Sequence, residues 1–261
     1  MKKKEEIKYL DKEWEEMDAS LKLFLETGDQ EALHKFRVQI KKIKAILSLI
    51  EGSSDEKGLL KQFKPVRKIF KSAGYVRDAH VHLQLSSKYG FENEEFENNQ
   101  QKIIEEGTIE LQNKSKKIIS NIKSTRKELK KQLPSVSNES IVQYYKQQLE
   151  QIAVNFTVSG FTEDMHTNRK LIKILVYNHK FAGEALNSKL NFNKVYLDKL
   201  QEAIGKWHDN VLAAQLFSSP PLNDKPIVIR INRINAGVKR TITSLGNDFM
   251  KKATTFENEN N

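Results

Sequence analysis

Residues 32–47 read ALHKFRVQIKKIKAIL, and about 130 residues later residues 164–175 read DMHTNRKLIKIL. Both carry His-x-x-Arg-x-x-x-Lys: His34, Arg37 and Lys41 in the first, His166, Arg169 and Lys173 in the second. Each is followed by Gly-x-x-basic-Asp, as Gly74, Arg77 and Asp78 and then as Gly205, His208 and Asp209. Single matches arise by chance, but an ordered series whose spacings agree to within one residue does not. The chain reads as a duplicated helical unit.

At roughly 100° per residue, the helical period, His34, Arg37, Lys41, Lys44 and Ser48 fall in one narrow wedge. Leu33, Phe36, Ile40, Ile43, Ile46, Leu47 and Ile50 fill the neighbouring sector, which is the stripe expected to face a core. In the second copy His166, Arg169, Lys173 and Lys180 share a wedge beside Met165, Leu171, Ile172 and Leu175. No acid occurs between Ala32 and Ile50, or between Asn168 and Ala182. A solvated helix face ordinarily mixes charge signs and gains i,i+4 pairs. These two faces do not, which points to an anionic ligand.

Composition agrees. The 261 residues carry 44 Lys and Arg against 34 Asp and Glu, a formal net charge of +10. That balance favours an anionic partner. With no cysteine, disulfides and thiolate metal sites are excluded. Met1 to Asp11 is charged and lacks an apolar signal core, and no apolar run approaches the roughly 18 residues of a membrane span, so a soluble cytoplasmic protein is expected.

Glycine and proline are scarce, 11 and 5, and β-alternation is nearly absent. The pattern predicts an all-α fold, with helices over 4–26, 30–51, 55–73, 77–88 and 93–132, then 139–156, 163–181, 193–205, 208–218 and 226–252. Breaks are expected at Gly28, Gly52, Gly90 and Pro134, and in the loop from Ser218 to Pro226. Pro134 separates the copies, so residues 1–134 and 135–261 are expected to form two pseudo-symmetric helical bundles around a basic cleft. The end, Ala253 to Asn261, is expected to fray.

The arrangement resembles the CHAD family, the conserved-histidine α-helical domain. His34-x-x-Arg37-Val38-x-x-Lys41-Lys42 is similar to its signature, and GYVRDAHV at 74–81 to its Gly-x-x-Arg-Asp element. The second-copy counterparts, DMHTNRKLIKIL and GKWHDNVL, are looser, with His208 where an arginine is expected. The resemblance implies two helical bundles around a basic cleft and binding of inorganic polyphosphate. It also brings Lys42 and Arg77 into the candidate set. Relatives often carry a fused triphosphatase-type domain, and no Glu-x-Glu-x-Lys motif of that kind occurs here.

The residues make their own case for polyphosphate. A linear anion needs a track of donors, and residues 34 to 44 span roughly 15 Å of helix axis at about 1.5 Å per residue. Arginine supplies forked contacts and lysine point charges. Arg230, Arg233 and Arg240, with Gly237 between them, line one face of the last helix and extend the candidate set. Lys116, Lys123, Arg126 and Lys130 read more simply as a solvated C-terminal helix segment.

Both histidines also sit in Glu-x-x-His, Glu31/His34 and Glu163/His166, a pairing found in di-iron bundles. Cations sharing each wedge would repel a metal, so neither metal nor cofactor is expected. A bound anion would instead favour the charged imidazole. Asp78 and Asp209 are expected to cap short helices or to orient a basic side chain. No catalytic carboxylate cluster is evident, and the expected function is non-catalytic binding of polyphosphate, with possible recruitment to polyphosphate granules. Nucleic-acid binding through the same surface is the alternative. Against it, aromatics do not interleave with the cations as stacking on single strands requires.

Overall fold

A computed structural model describes residues 3–158 and 160–255, and all regular structure among them is helical. The chain divides between Ser135 and Val136 into two compact units. The first holds α1 (Lys3–Thr27), α2 (Gln30–Gly52), α3 (Leu59–Gln62), α4 (Lys64–Tyr89), α5 (Glu94–Asn113) and α6 (Ser115–Gln132). The second holds α7 (Asn138–Val158), α8 (Glu163–Lys189), α9 (Lys194–Ser218), α10 (Lys225–Gly246) and α11 (Phe249–Ala253). No described helix is long and apolar enough to cross a membrane.

In the first unit α2 is the central helix, packed on α1 and α4. Gly28, at φ +71°, closes α1, and the Asp29 carboxylate then caps α2 by accepting from the Glu31 and Ala32 amides at 2.9 and 3.3 Å. The stripe of Leu33, Phe36, Ile40, Ile43, Ile46, Leu47 and Ile50 is buried as the periodicity requires. Trp14 of α1 and Phe63 are buried too and meet each other edge to face, centroids 5.9 Å apart. Full burial of side chains this large stabilises by about 1.5–3 kcal/mol each.

In the second unit α8 packs between α7 and α9, and α10 lies against α9. Buried polar ties join them. The Tyr145 hydroxyl donates to the Leu175 carbonyl at 2.9 Å, and the Asn155 and Asn168 amides meet at 2.7 Å.

Five expectations are corrected. There is no break at Gly74 or at Gly205: α4 and α9 each run unbroken through their glycine. A mid-helix glycine costs roughly 1 kcal/mol against alanine, and here packing outweighs propensity. Residues 53–58 form a loop, with Gly58 at φ +104° and Pro65 in the first turn of α4. The expected helix 93–132 is two helices, divided at Lys114. The last helix stops at Gly246, where Asn247 and the left-handed Asp248 (φ 54°) turn the chain into α11. Ala253 to Thr255 are anchored, since Asn193 donates from its backbone to the Ala253 carbonyl (2.8 Å) and from its side chain to that of Thr255 (2.9 Å). The rest of the expected frayed end, 256–261, lies outside the described residues.

Candidate anion-binding site

The two unbroken glycines explain the two signature arginines. On α4, Phe70, Gly74 and Asp78 are spaced by four and share a face. Arg37 of α2 reaches across it: Nη1 donates to the Phe70 carbonyl at 2.6 Å, and the guanidinium lies 4.1 Å above the Phe70 ring. A Cβ on Gly74 would sit 2.9 Å from that Nη1. In the second unit Arg169 of α8 donates from Nε to the Gln201 carbonyl at 3.3 Å, and a Cβ on Gly205 would lie 2.9 Å from its Nη2. Phe70 and Gln201 each stand four residues before the glycine. The absent side chain is what lets an arginine lie flat on the neighbouring helix.

Arg37 and Arg169 are therefore half-buried helix ties as well as cations. Burial lowers the Arg37 pKa, Asp78 raises it and Arg77 lowers it further, yet an arginine remains charged at any physiological pH. Asp78 and Asp209 lie inside α4 and α9, so the capping role is wrong for both. For Asp78 the other expectation, orientation of a basic residue, fits its electrostatic pull on Arg37.

Around the first tie the structure gathers His34, Lys41, Arg77 and His80. Lys41 is exposed, with Nζ 5.7 Å from the Phe70 ring centroid. Lys44 is exposed on the same wedge of α2. Arg77 is mostly covered and pairs with Glu31 at 3.7 Å. Burial, and then the Arg77 guanidinium, hold His34 below the usual imidazole range, against the opposing pull of Glu31. The same two causes lower His80. His82 is separate and shares a 3.0 Å hydrogen bond with the Gln100 side-chain oxygen. Lys42 does not join the group. It turns to α1, where it pairs with Glu13 at 3.3 Å and Glu16 at 3.8 Å.

The second unit builds a variant. His166 and His208 stack with ring centroids 4.1 Å apart and planes 16° from parallel, so His208 takes the place that Arg77 holds in the first. Lys173 lies with Nζ 5.3 Å from the Tyr177 ring centroid, and Lys180 is exposed. Trp207 is buried. Arg230, Arg233 and Arg240 are exposed on α10. Among the described residues no three His, Cys, Asp or Glu converge as metal ligands, and Glu31 faces Arg77. The Glu163 side chain lies outside the described residues.

On α6, Arg126 and Lys130 turn to α1. Arg126 bonds Asp11 through Nη2 at 2.8 Å and Nε at 3.2 Å, and Lys130 pairs with Asp11 at 2.7 Å. Lys116, Lys123 and Lys127, with Ile119, Ser120 and Ser124, line an open furrow of about 650 Å³. Phe70 is the site neighbour that the motif did not reveal. Phe70 could have been found from its place one turn before Gly74.

Residues 8–218 match the family model of the CHAD domain. The chain belongs to the CHAD domain family. The match ends at Ser218, the last residue of α9, so α10 and α11 follow the matched region. Among solved structures, this CHAD chain is similar to the crystal structure of the CHAD domain from the plant Ricinus communis. The TM-score is 0.67 and the identity 15%, covering 94% of this chain and 91% of that one. At such identity the likeness establishes the fold. No curated protein matches the chain at a significant level.

Proposed function

We propose that this CHAD protein is a non-catalytic binder of inorganic polyphosphate, built from a duplicated unit that presents one basic helix face per copy. The observation that carries the reading is the acid-free wedge of α2, where exposed Lys41 and Lys44 flank the Arg37 tie beside His34 and Arg77. A phosphate chain meets point charges at Lys41 and Lys44, while Arg37 and Arg169 chiefly fix the helices that carry the wedges. Lys173, Lys180 and His166 play the corresponding part in the second unit, and Arg230, Arg233 and Arg240 extend its positive field. Membership of the CHAD family brings the same expectation. Recruitment to polyphosphate granules in the cytoplasm would follow from such binding.

Nucleic acid is the second reading, and one observation favours it. Tyr75, next to Gly74, is 75% exposed, an aromatic face on which a base could stack. Anisotropy titrations of long-chain polyphosphate, duplex DNA and single-stranded RNA across a salt series decide between them. A dedicated site binds polyphosphate about a hundredfold more tightly near 150 mM salt, and Lys41→Ala with Lys44→Ala weakens binding and flattens the salt slope by about 0.7 per lost contact. Equal affinity for DNA, with polyphosphate unable to compete, would overturn the assignment. Phosphate release from the chain with Mg²⁺ or Mn²⁺ present would overturn the non-catalytic part.

A further inference from the structure

The two units carry outer helices of opposite charge. α5 packs mainly on α4, and α10 packs on α9. α5 has six glutamates and one lysine, a net charge of −5. α10 has five cations and no acid, a net charge of +5. On α5, Glu95, Glu105, Glu106 and Glu110 are exposed, and Ile103 and Ile109 are exposed at 37% and 56%. On α10, Arg230, Arg233 and Arg240 are exposed, with Ile229 at 61% and Ile234 at 48%.

Lys102 pairs with Glu106 at 3.9 Å, and Lys114 pairs with Glu110. Such exposed i,i+4 pairs contribute only a few tenths of a kcal/mol and exchange readily for other partners. Spacing adds to the charge match. Arg230 and Arg240 are ten residues apart, as are Glu95 and Glu105, so both pairs span roughly 15 Å of axis. Ala236 and Gly237 lie on the outward side of α10, where small residues admit a close neighbour.

We propose that α10 of one molecule docks on α5 of a second copy of this chain, giving head-to-tail self-association. The helices run antiparallel, so that Arg240 meets Glu95 near the α5 N-terminus and Arg230 meets Glu105 and Glu106, while the exposed isoleucines supply the apolar contact. The contact is heterologous, because each copy offers one donor and one acceptor surface, and it propagates into chains or rings. Two helices of this length bury on the order of 1,000 Å² together, the low end of specific interfaces, so the association is weak and salt-sensitive. A polyanion drawn to the same arginines would compete with the glutamate face and disperse the chains.

Light scattering with sedimentation over a concentration series tests this, at about 20 mM and 300 mM salt, on either side of effective screening. The mass should rise above the 30.2 kDa of one chain with concentration at low salt and fall back at high salt. Glu105→Lys with Glu106→Lys, or Arg230→Glu with Arg233→Glu, should each weaken association at least tenfold. Mixing the two reversed proteins should restore it, because each then offers what the other lacks. Lys116→Glu with Lys123→Glu on α6 controls for a general charge effect and should leave association intact. All these side chains are exposed, and unchanged helicity by circular dichroism certifies each variant. A single-chain mass at every concentration, association indifferent to both reversals, or no recovery on mixing would overturn the proposal. The α5 variant touches no residue assigned to polyphosphate, so this result stands whichever way the polyphosphate titration falls.

Discussion

The Arg37–Gly74 and Arg169–Gly205 junctions are alike in what packs and unlike in what a ligand would meet. In both, a guanidinium lies on a glycine and donates to the carbonyl four residues earlier. Around that shared tie the first unit sets Phe70 beneath the guanidinium and Arg77 beside His34. The second sets Gln201 beneath and stacks His208 on His166. A Cβ at either glycine would come within 2.9 Å of the guanidinium, so the arginine would have to shift to admit one. The neighbouring cation has no such constraint, so it is free to differ.

Removal of either arginine should have the largest effect. Arg37 makes the shorter bond and covers an aromatic ring, so Arg37→Ala should destabilise its unit by about 2–3 kcal/mol, in the range for hydrogen bonds to charged groups. Arg169→Ala should cost about 1–2 kcal/mol. The two tryptophans, Trp14 and Trp207, are buried one in each unit, so Trp→Phe at either leaves fluorescence to report the other during urea unfolding. Equal or reversed losses would mean that the bond lengths do not rank the ties.

The glycines sharpen the same point. At Gly205 a Cβ would meet Nη2, Nε and Cζ of Arg169 within 3.2 Å, whereas at Gly74 only Nη1 of Arg37 is that close. Arg37 can swing its end away; Arg169 must move bodily. Gly205→Ala should therefore cost more than Gly74→Ala. In an Arg37→Ala background Gly74→Ala should become stabilising, by up to about 1 kcal/mol, as helix propensity is released. A double-mutant cycle reads this directly, and a coupling near zero would deny that the glycine serves the arginine.

These ties mark where the sequence stops being legible. The wedge of His34, Arg37, Lys41 and Lys44 follows from periodicity, and so do the buried stripe of α2 and its Asp29 cap. Local preference predicts breaks at Gly74 and Gly205 because it says nothing of a guanidinium arriving from another helix. It predicts caps at Asp78 and Asp209 for the same reason. Lys42 shows a second limit, since adjacency to Lys41 hides a rotation of 100° that delivers it to Glu13 and Glu16. In each case the missing term is a tertiary contact, which local sequence does not carry.

The first unit's fixed cation also sets a pH signature. His34 and His80 have folded pKa values below the ordinary imidazole range, through burial and Arg77. The unfolded chain therefore binds more protons than the native one once the pH falls to about 6.5, the reference imidazole value, and stability rises with pH through that region. The first unit should be most stable above that value and lose stability as the pH drops toward the depressed values. Arg77→Ala should move both titrations upward in proton NMR and flatten the stability profile. An unmoved His34 resonance would show that Arg77 does not set it.

The smallest effect concerns the residue that differs. Arg77 keeps its charge at every pH, whereas His208 carries one only when protonated. If the neighbouring cation contributes to polyphosphate binding, His208→Arg should raise affinity a fewfold at pH 8 and steepen the salt slope by about 0.7, one added contact on a single-stranded polyanion. Arg77→His should do the reverse at pH 8 and regain affinity toward pH 5.5. Anisotropy titrations at the two pH values separate the outcomes. Parallel behaviour of wild type and both exchanges would place the ligand on Lys41, Lys44 and Lys173 alone. The Arg77-to-His208 difference would then belong to packing, with the stacked imidazoles filling the space that a guanidinium fills in the other unit.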